Sequence, residues 1–271
     1  MCAVFKVSRK GYYGWKKCKI SKRKQYDDKL LTIIKQSHAD SNHVYGAPRI
    51  HSDLKDMGYN CGIKRVTRIM RDNNIRSKVK RKFKATTNSN HNYPVHPNLL
   101  EQNFKCAAPN MVWTTDITYI PTDEGWLYLA VVLDLYSRMI IGWSMDKTMT
   151  RKLTMDALAM GYWQRKPGQG LIHHSDRGSQ YASHDYQNML KNFGMICSMS
   201  KKGDCYDNAV TESFFHTLKT ELIFGKKYSS REQAKSDIFK YIELFYNRKR
   251  KHSTLGYCSP ANFEQYYGKV A

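Results

Sequence analysis

What most constrains the fold of this chain is a change of hydrophobic rhythm across a polar stretch. Up to about residue 72 the apolar residues recur at helical spacing. Leu30, Leu31, Ile33 and Ile34 line one side of a helix predicted over Tyr26–His38. After the turn Tyr45-Gly46-Ala47-Pro48-Arg49, whose proline can open a helix, Ile50, Leu54 and Met57 follow at the same spacing. A second short helix starts beyond Asn60-Cys61-Gly62, turning Ile63, Val66, Ile69 and Met70 inward and Lys64, Arg65, Arg68 and Arg71 outward. Two such helices joined by a glycine-containing turn have the grammar of a helix-turn-helix, although any small helical hairpin shares it. From Ser77 to Ala108 the composition passes from Lys and Arg to Asn, Ser, His and Pro, which reads as a linker.

Beyond Pro109 the period becomes that of strands. Met111–Ile120, Trp126–Leu135 and Arg138–Met145 read as an antiparallel meander. A helix (Thr150–Trp163), a buried strand (Leu171–His174), a helix (Ser183–Phe193), a last strand (Met195–Ser198) and a long helix (Tyr206–Leu222) come next. This predicts a basic arm and helix over 1–44, a helix-turn-helix over 45–86, a linker over 87–108, an α/β domain over 109–225 and a helical extension over 226–271. The element order is that of a ribonuclease H-like fold, and order alone admits other α/β folds too.

Charge narrows the partner. The net charge is +22, and residues 1–90 hold 23 Lys and Arg against 6 acids, leaving 22 against 17 for the rest. Such an amino-terminal third implies a polyanion, DNA or RNA, more readily than a neutral metabolite. No run of 18 apolar residues and no secretory leader is visible, so a cytoplasmic chain without a membrane partner is expected. Seven cysteines without CxxC pairing read as reduced thiols.

Three acids stand out by context. Asp116 lies among β-formers in Trp113-Thr114-Thr115-Asp116-Ile117-Thr118-Tyr119, where a carboxylate is costly unless a cation compensates. Asp176 follows the short strand in His173-His174-Ser175-Asp176-Arg177-Gly178, at the carboxyl edge where open sheets bind ligands. Glu212 lies 35 intervening residues further on, and helical spacing sets Asn208, Glu212, His216 and Lys219 near one stripe. Singly, each acid reads as a cap or solvated residue. Together they could hold two hard divalent ions about 4 Å apart, as phosphoryl chemistry requires. His173 and His174 suit magnesium poorly and read as orienting residues, and Asp134 reads as hairpin support or a partner for Arg138.

These stretches resemble the DDE transposase and retroviral integrase superfamily, and more closely its bacterial insertion sequence three family. The resemblance rests on the acid-bearing segments, on Leu133-Asp134-Leu135-Tyr136-Ser137-Arg138, on Leu218-Lys219-Thr220-Glu221, on Tyr246-Asn247-Arg248 with His252-Ser253-Thr254-Leu255-Gly256-Tyr257, and on Tyr45-Gly46 with Arg49-Ile50-His51. It departs at Asp204, where the family more often has an uncharged residue. The resemblance implies a ribonuclease H-like integrase core behind a helix-turn-helix domain. It also implies two Mg²⁺ ions, with Mn²⁺ as a substitute, held by Asp116, Asp176 and Glu212. Lys219, with Asn208 beside it, would meet DNA at the cleaved end. Arg49, Lys64, Arg65, Arg68 and Arg71 are expected at DNA through the front domain, Arg65 and Arg68 reaching bases. Expected partners are duplex DNA at terminal repeats and target sites, further copies of the chain, and an upstream-frame protein. A nuclease that only hydrolyses, and an inactive DNA-binding regulator, are the competing readings.

Overall fold

The computed structural model describes residues 2, 4–17, 20–78, 96–201 and 205–268. They form two compact units, one within Met1–Lys78 and one within Val79–Ala271.

The first unit is helical. Ser8 and Ser21 cap α1 (Arg9–Lys16) and α2 (Lys22–Asp40) by accepting from Gly11 N and Lys24 N. Sequence periodicity had no stripe to show for α1, because none of its residues is buried. Pro48 sits in the first turn of α3 (Ala47–Asp56), and α4 (Ile63–Asp72) follows Gly62. Leu30 and Ile34 of α2, Ile50 and Leu54 of α3, and Val66 and Ile69 of α4 close one core.

The second unit is built on a five-stranded sheet in the order β3-β2-β1-β4-β5, from β1 (Val112–Thr122), β2 (Gly125–Asp134), β3 (Ile140–Asp146), β4 (Ile172–Ser175) and β5 (Ile196–Met199). The first three pair antiparallel, whereas β4 runs parallel to β1 and β5 parallel to β4. This is a mixed α/β sheet. Between the strands lie α5 (Arg151–Arg165), α6 (Ser179–Ala182) and α7 (His184–Asn192).

The pleat sends alternate residues of β1 to opposite layers. Trp113 packs with Ala130, Val132, Leu158 and Tyr186, and the Thr115 hydroxyl meets Tyr181 at 3.3 Å on that same side. Thr114, on the other face, accepts from Thr211 at 2.7 Å in α8 (Ala209–Leu218). Helix α5 lies so close to the sheet that a Cβ on Gly142 would come within 2.2 Å of Ala157 O, so only glycine fits there.

Three local expectations change. The long helix predicted over Tyr206–Leu222 is a 3₁₀ turn (Cys205–Asn208), then α8, then a π-helical turn (Lys219–Ile223). Asp134 does support the β2–β3 hairpin, accepting from Asn110 N and Tyr136 N, but Arg138 donates to Phe104 O at 3.1 Å, its carbonyl partner in the hairpin's surroundings. Residues 87–95 of the expected linker lie outside the described residues, as does Asp204. Residues 96–108 belong to the second unit: Leu99 N donates to Ser198 Oγ, Met199 N donates to Pro97 O, and Leu100 is buried. Beyond Ile223 come α9 (Arg231–Phe239), a π-helical segment (Lys240–Tyr246), a 3₁₀ turn (Ser253–Leu255) and α10 (Pro260–Tyr267). No helix among the described residues is long and apolar enough to cross a membrane.

Candidate active site

Strand β4 pairs only with Val112–Thr114 of β1, so β1 outruns it. Asp116 stands just past that pairing, and Asp176 leaves the carboxyl end of β4 one residue after Ser175. The third acid reaches them because its helix is tied to β1 twice. Asn208 Nδ2 donates to Thr115 O at 3.1 Å, and Thr211 Oγ1 donates to Thr114 Oγ1 at 2.7 Å. Both bonds are buried, where an amide or hydroxyl without a partner is expensive, so they set the start of α8 firmly against the strand. Glu212, next to Thr211, is thereby brought to the Asp116 side of the sheet.

Electrostatics record the proximity. Burial and the Asp176 carboxylate, joined by Glu212, hold the Asp116 carboxyl well above its ordinary range, against the Ile117 amide bonded at 2.7 Å and the Lys219 ammonium. Burial and Asp176 also raise Glu212. Lys219 is lowered by burial and kept from falling further by Asp116, and its Nζ lies 4.9 Å from the Tyr119 ring centroid. Asp176 Oδ1 accepts from Gly178 N at 2.8 Å, and a Cβ on Gly178 would come 2.9 Å from that same oxygen.

Three hard oxygen donors, of which Asp176 and Glu212 raise Asp116 and Asp176 raises Glu212, are a set that a divalent cation fits, since it would relieve their repulsion. Among the described residues, no three His, Cys, Asp or Glu side chains already converge closely enough to enclose an ion. The histidines serve the frame instead. His174 has Ser198 Oγ at 2.9 Å and Ser200 Oγ at 3.2 Å on its two ring nitrogens, and His173 Nε2 lies 3.2 Å from the Tyr186 hydroxyl. Burial pushes them down to about 4 and about 3, so both are neutral near pH 7.

The residues expected at DNA fall into different places. Asn208 is buried and its Nδ2 donates to Thr115 O. Arg65 and Arg68 point back at α2: Arg65 Nε and Arg68 Nη2 each lie 2.6 Å from an Asp27 oxygen, and Arg65 also stacks on Tyr26 at 4.7 Å. Without DNA the two arginines are ion-paired within the domain, which holds Asp27 below its usual range against the cost of burial. Lys64, Thr67 and Arg71 form the exposed stripe of α4, while Arg49 is half-buried over the Tyr45 ring at 5.5 Å. Sequence reasoning missed Thr114 and Thr211, for which no local signal exists, and the steric role of Gly178, which its place two residues after Asp176 could have suggested.

Residues 107–205 and 212–266 match family models described as "Integrase core domain", and residues 25–83 match "HTH-like domain". The chain is 47% identical over 266 residues, 97% of its length and 92% of the relative's, to "Transposase InsF for insertion sequence IS3A" of Escherichia coli (strain K12). It is 49% identical over 271 residues, 100% of both chains, to "Insertion element IS600 uncharacterized 31 kDa protein" of Shigella sonnei. Among solved structures it is similar to a chain of the simian T-cell lymphotropic virus intasome in complex with PP2A regulatory subunit B56 gamma, with 15% identity and a TM-score of 0.44 over 78% of this chain and 69% of that one.

Proposed function

This chain belongs to the insertion sequence three family of DDE transposases, and from that premise we propose that Asp116, Asp176 and Glu212 are its catalytic carboxylates and hold two Mg²⁺ ions. The family's activity is DNA transposition and integration by metal-dependent strand cleavage and strand transfer, with a helix-turn-helix domain for DNA. The observation that carries the assignment is the convergence of three acids from β1, the β4 exit and α8, close enough that Asp176 and Glu212 raise Asp116 and Asp176 raises Glu212. When bound, the metal pair supplies activation of an attacking oxygen and stabilisation of a leaving one at phosphorus. The chain's own part is to hold and aim. Asp116, Asp176 and Glu212 would hold the cations, Thr211 and Asn208 keep α8 in place, and Lys219 meets the phosphate beside the cleaved end. Mn²⁺ serves as a substitute.

The direct test is a strand-transfer assay with pre-cut element ends. Joined products that need Mg²⁺ and vanish with chelator are expected; cleavage without joining would turn the reading toward a hydrolytic nuclease. Gly178→Ala probes the aim of Asp176. Gly178 has φ −61° and ψ 143°, which alanine adopts freely, so the penalty is the added methyl against the carboxylate rather than backbone strain. A loss of about 10- to 100-fold in strand transfer is expected at nearly unchanged melting temperature, because a misplaced reacting group is costly even when the shift is about 1 Å.

In the front domain, the α4 stripe is the surface proposed to lie on DNA. Lys64→Ala and Arg71→Ala should each flatten the dependence of log K on log salt by about 0.9, one phosphate contact apiece. An unchanged slope in both would move the interface elsewhere. We place further copies of the chain, terminal-repeat and target duplexes, and an upstream-frame protein among its partners, with the chain acting in the bacterial cytoplasm.

A further inference from the structure

Past Asp116 the β1–β2 hairpin projects beyond the end of β4, and two large aromatic side chains stand out from it. Tyr119 is 43% exposed and Trp126 is 48% exposed, with their rings edge to face at a centroid distance of 4.9 Å. The pair adjoins the catalytic carboxylates through Lys219, whose ammonium feels Asp116 and lies 4.9 Å from the Tyr119 centroid. The hairpin is fixed from behind. Arg231 Nε donates to Trp126 O, Arg231 N donates to Glu124 Oε2, and Asp123 N donates to Tyr228 O. A hairpin held in this way, with two aromatic rings half in water and a cation against the Tyr119 ring, has the makeup of a platform for planar rings linked by phosphates.

We propose that Tyr119 and Trp126 form a stacking platform for an unpaired nucleobase of the DNA strand whose phosphate occupies the carboxylate site. The inference rests on the reading of Asp116 and Lys219 as parts of that site. Continuity supplies the occupant: a strand lying at Asp116 and Lys219 has its neighbouring base within reach of the hairpin, and a base freed from its pair has a face to offer. Bases paired in the interior of a duplex do not, since both of their faces are stacked. The platform thus distinguishes frayed or processed ends from intact duplex without reading sequence, because every base has a stacking face.

Fluorescence-anisotropy titration of the full chain, in EDTA and without divalent ions, tests this. The probes are a duplex with an unpaired thymidine tail and the same duplex with abasic residues in the tail. The wild-type chain should bind the thymidine tail about 10-fold more tightly. Trp126→Ala should abolish that preference and Trp126→Phe should keep most of it, with melting temperatures close to wild type because the ring is half in solvent. Equal binding of the two tails by the wild-type chain would overturn the proposal, as would a preference that survives in Trp126→Ala. A patch covered by another protein instead of a base gives the first of these results. The assay reads binding without metal or turnover, so its failure leaves the carboxylate assignment standing, and a failed carboxylate assignment shows in the strand-transfer assay alone.

Discussion

Glu212→Gln is expected to lower strand-transfer turnover by at least about a thousandfold, on the order of 4 kcal/mol of barrier, with duplex binding in EDTA essentially unchanged. The amide keeps the size of the side chain, so α8 and its buried Phe214, Phe215 and Leu218 have no reason to move. What disappears is one negative oxygen facing Asp176. In the free protein that oxygen is a liability, because burial and Asp176 both oppose its charge. The variant should therefore melt at the same temperature as the parent or slightly higher without metal, and should lose most of the stabilisation that Mg²⁺ gives the parent by mass action. Retained turnover, or an undiminished Mg²⁺-induced rise in melting temperature, would remove Glu212 from the site.

The second large effect concerns stability. Glu221, in the π-helical turn after α8, lies in a buried cluster. Arg250 reaches it through Nε at 2.8 Å and Nη2 at 2.7 Å, and the Tyr241 hydroxyl donates to it at 2.6 Å. Arg250 is 4% exposed, and the cluster holds its guanidinium above its ordinary pKa despite burial. Glu221→Ala strands that charge in the interior, with an expected loss of about 3–5 kcal/mol. For a unit of this size that is a fall of roughly 10 °C in melting temperature. Tryptophan fluorescence will follow it, since four of the five tryptophans, Trp113, Trp126, Trp143 and Trp163, belong to the second unit. The double variant Glu221→Leu/Arg250→Met, which removes both charges, should recover much of the loss. A double variant as unstable as the single one would show that an uncompensated charge is not the cause.

Legibility in the sequence followed the range of the interactions. The meander was readable because β-formers crowd each strand and turn residues separate them, and the boundaries of β1 and β2 differ from expectation by only a residue or two. The three acids were readable through their flanks. The partners of Arg65 and Arg68 were not, because Asp27 lies 38 and 41 residues upstream and helical spacing says only that the arginines leave the apolar face. The π-turn was equally invisible. Leu218, Lys219, Thr220, Glu221 and Leu222 are all compatible with an α-helix, and the contacts that accompany the wider turn come from Tyr241 and Arg250, 20 and 29 residues further on. Tyr119 and Trp126 looked like ordinary strand aromatics, since alternation predicts a face but not what lies beyond the end of a shorter neighbouring strand.

The two buried bonds that hang α8 on β1 span 93 and 97 residues of chain, and β1 meets β4 only across about 60. Contacts of such long range form late and reluctantly. With Glu212 as the proposed third carboxylate, cutting competence would then come only after α8 has docked, and a product interrupted before that point would lack the complete site.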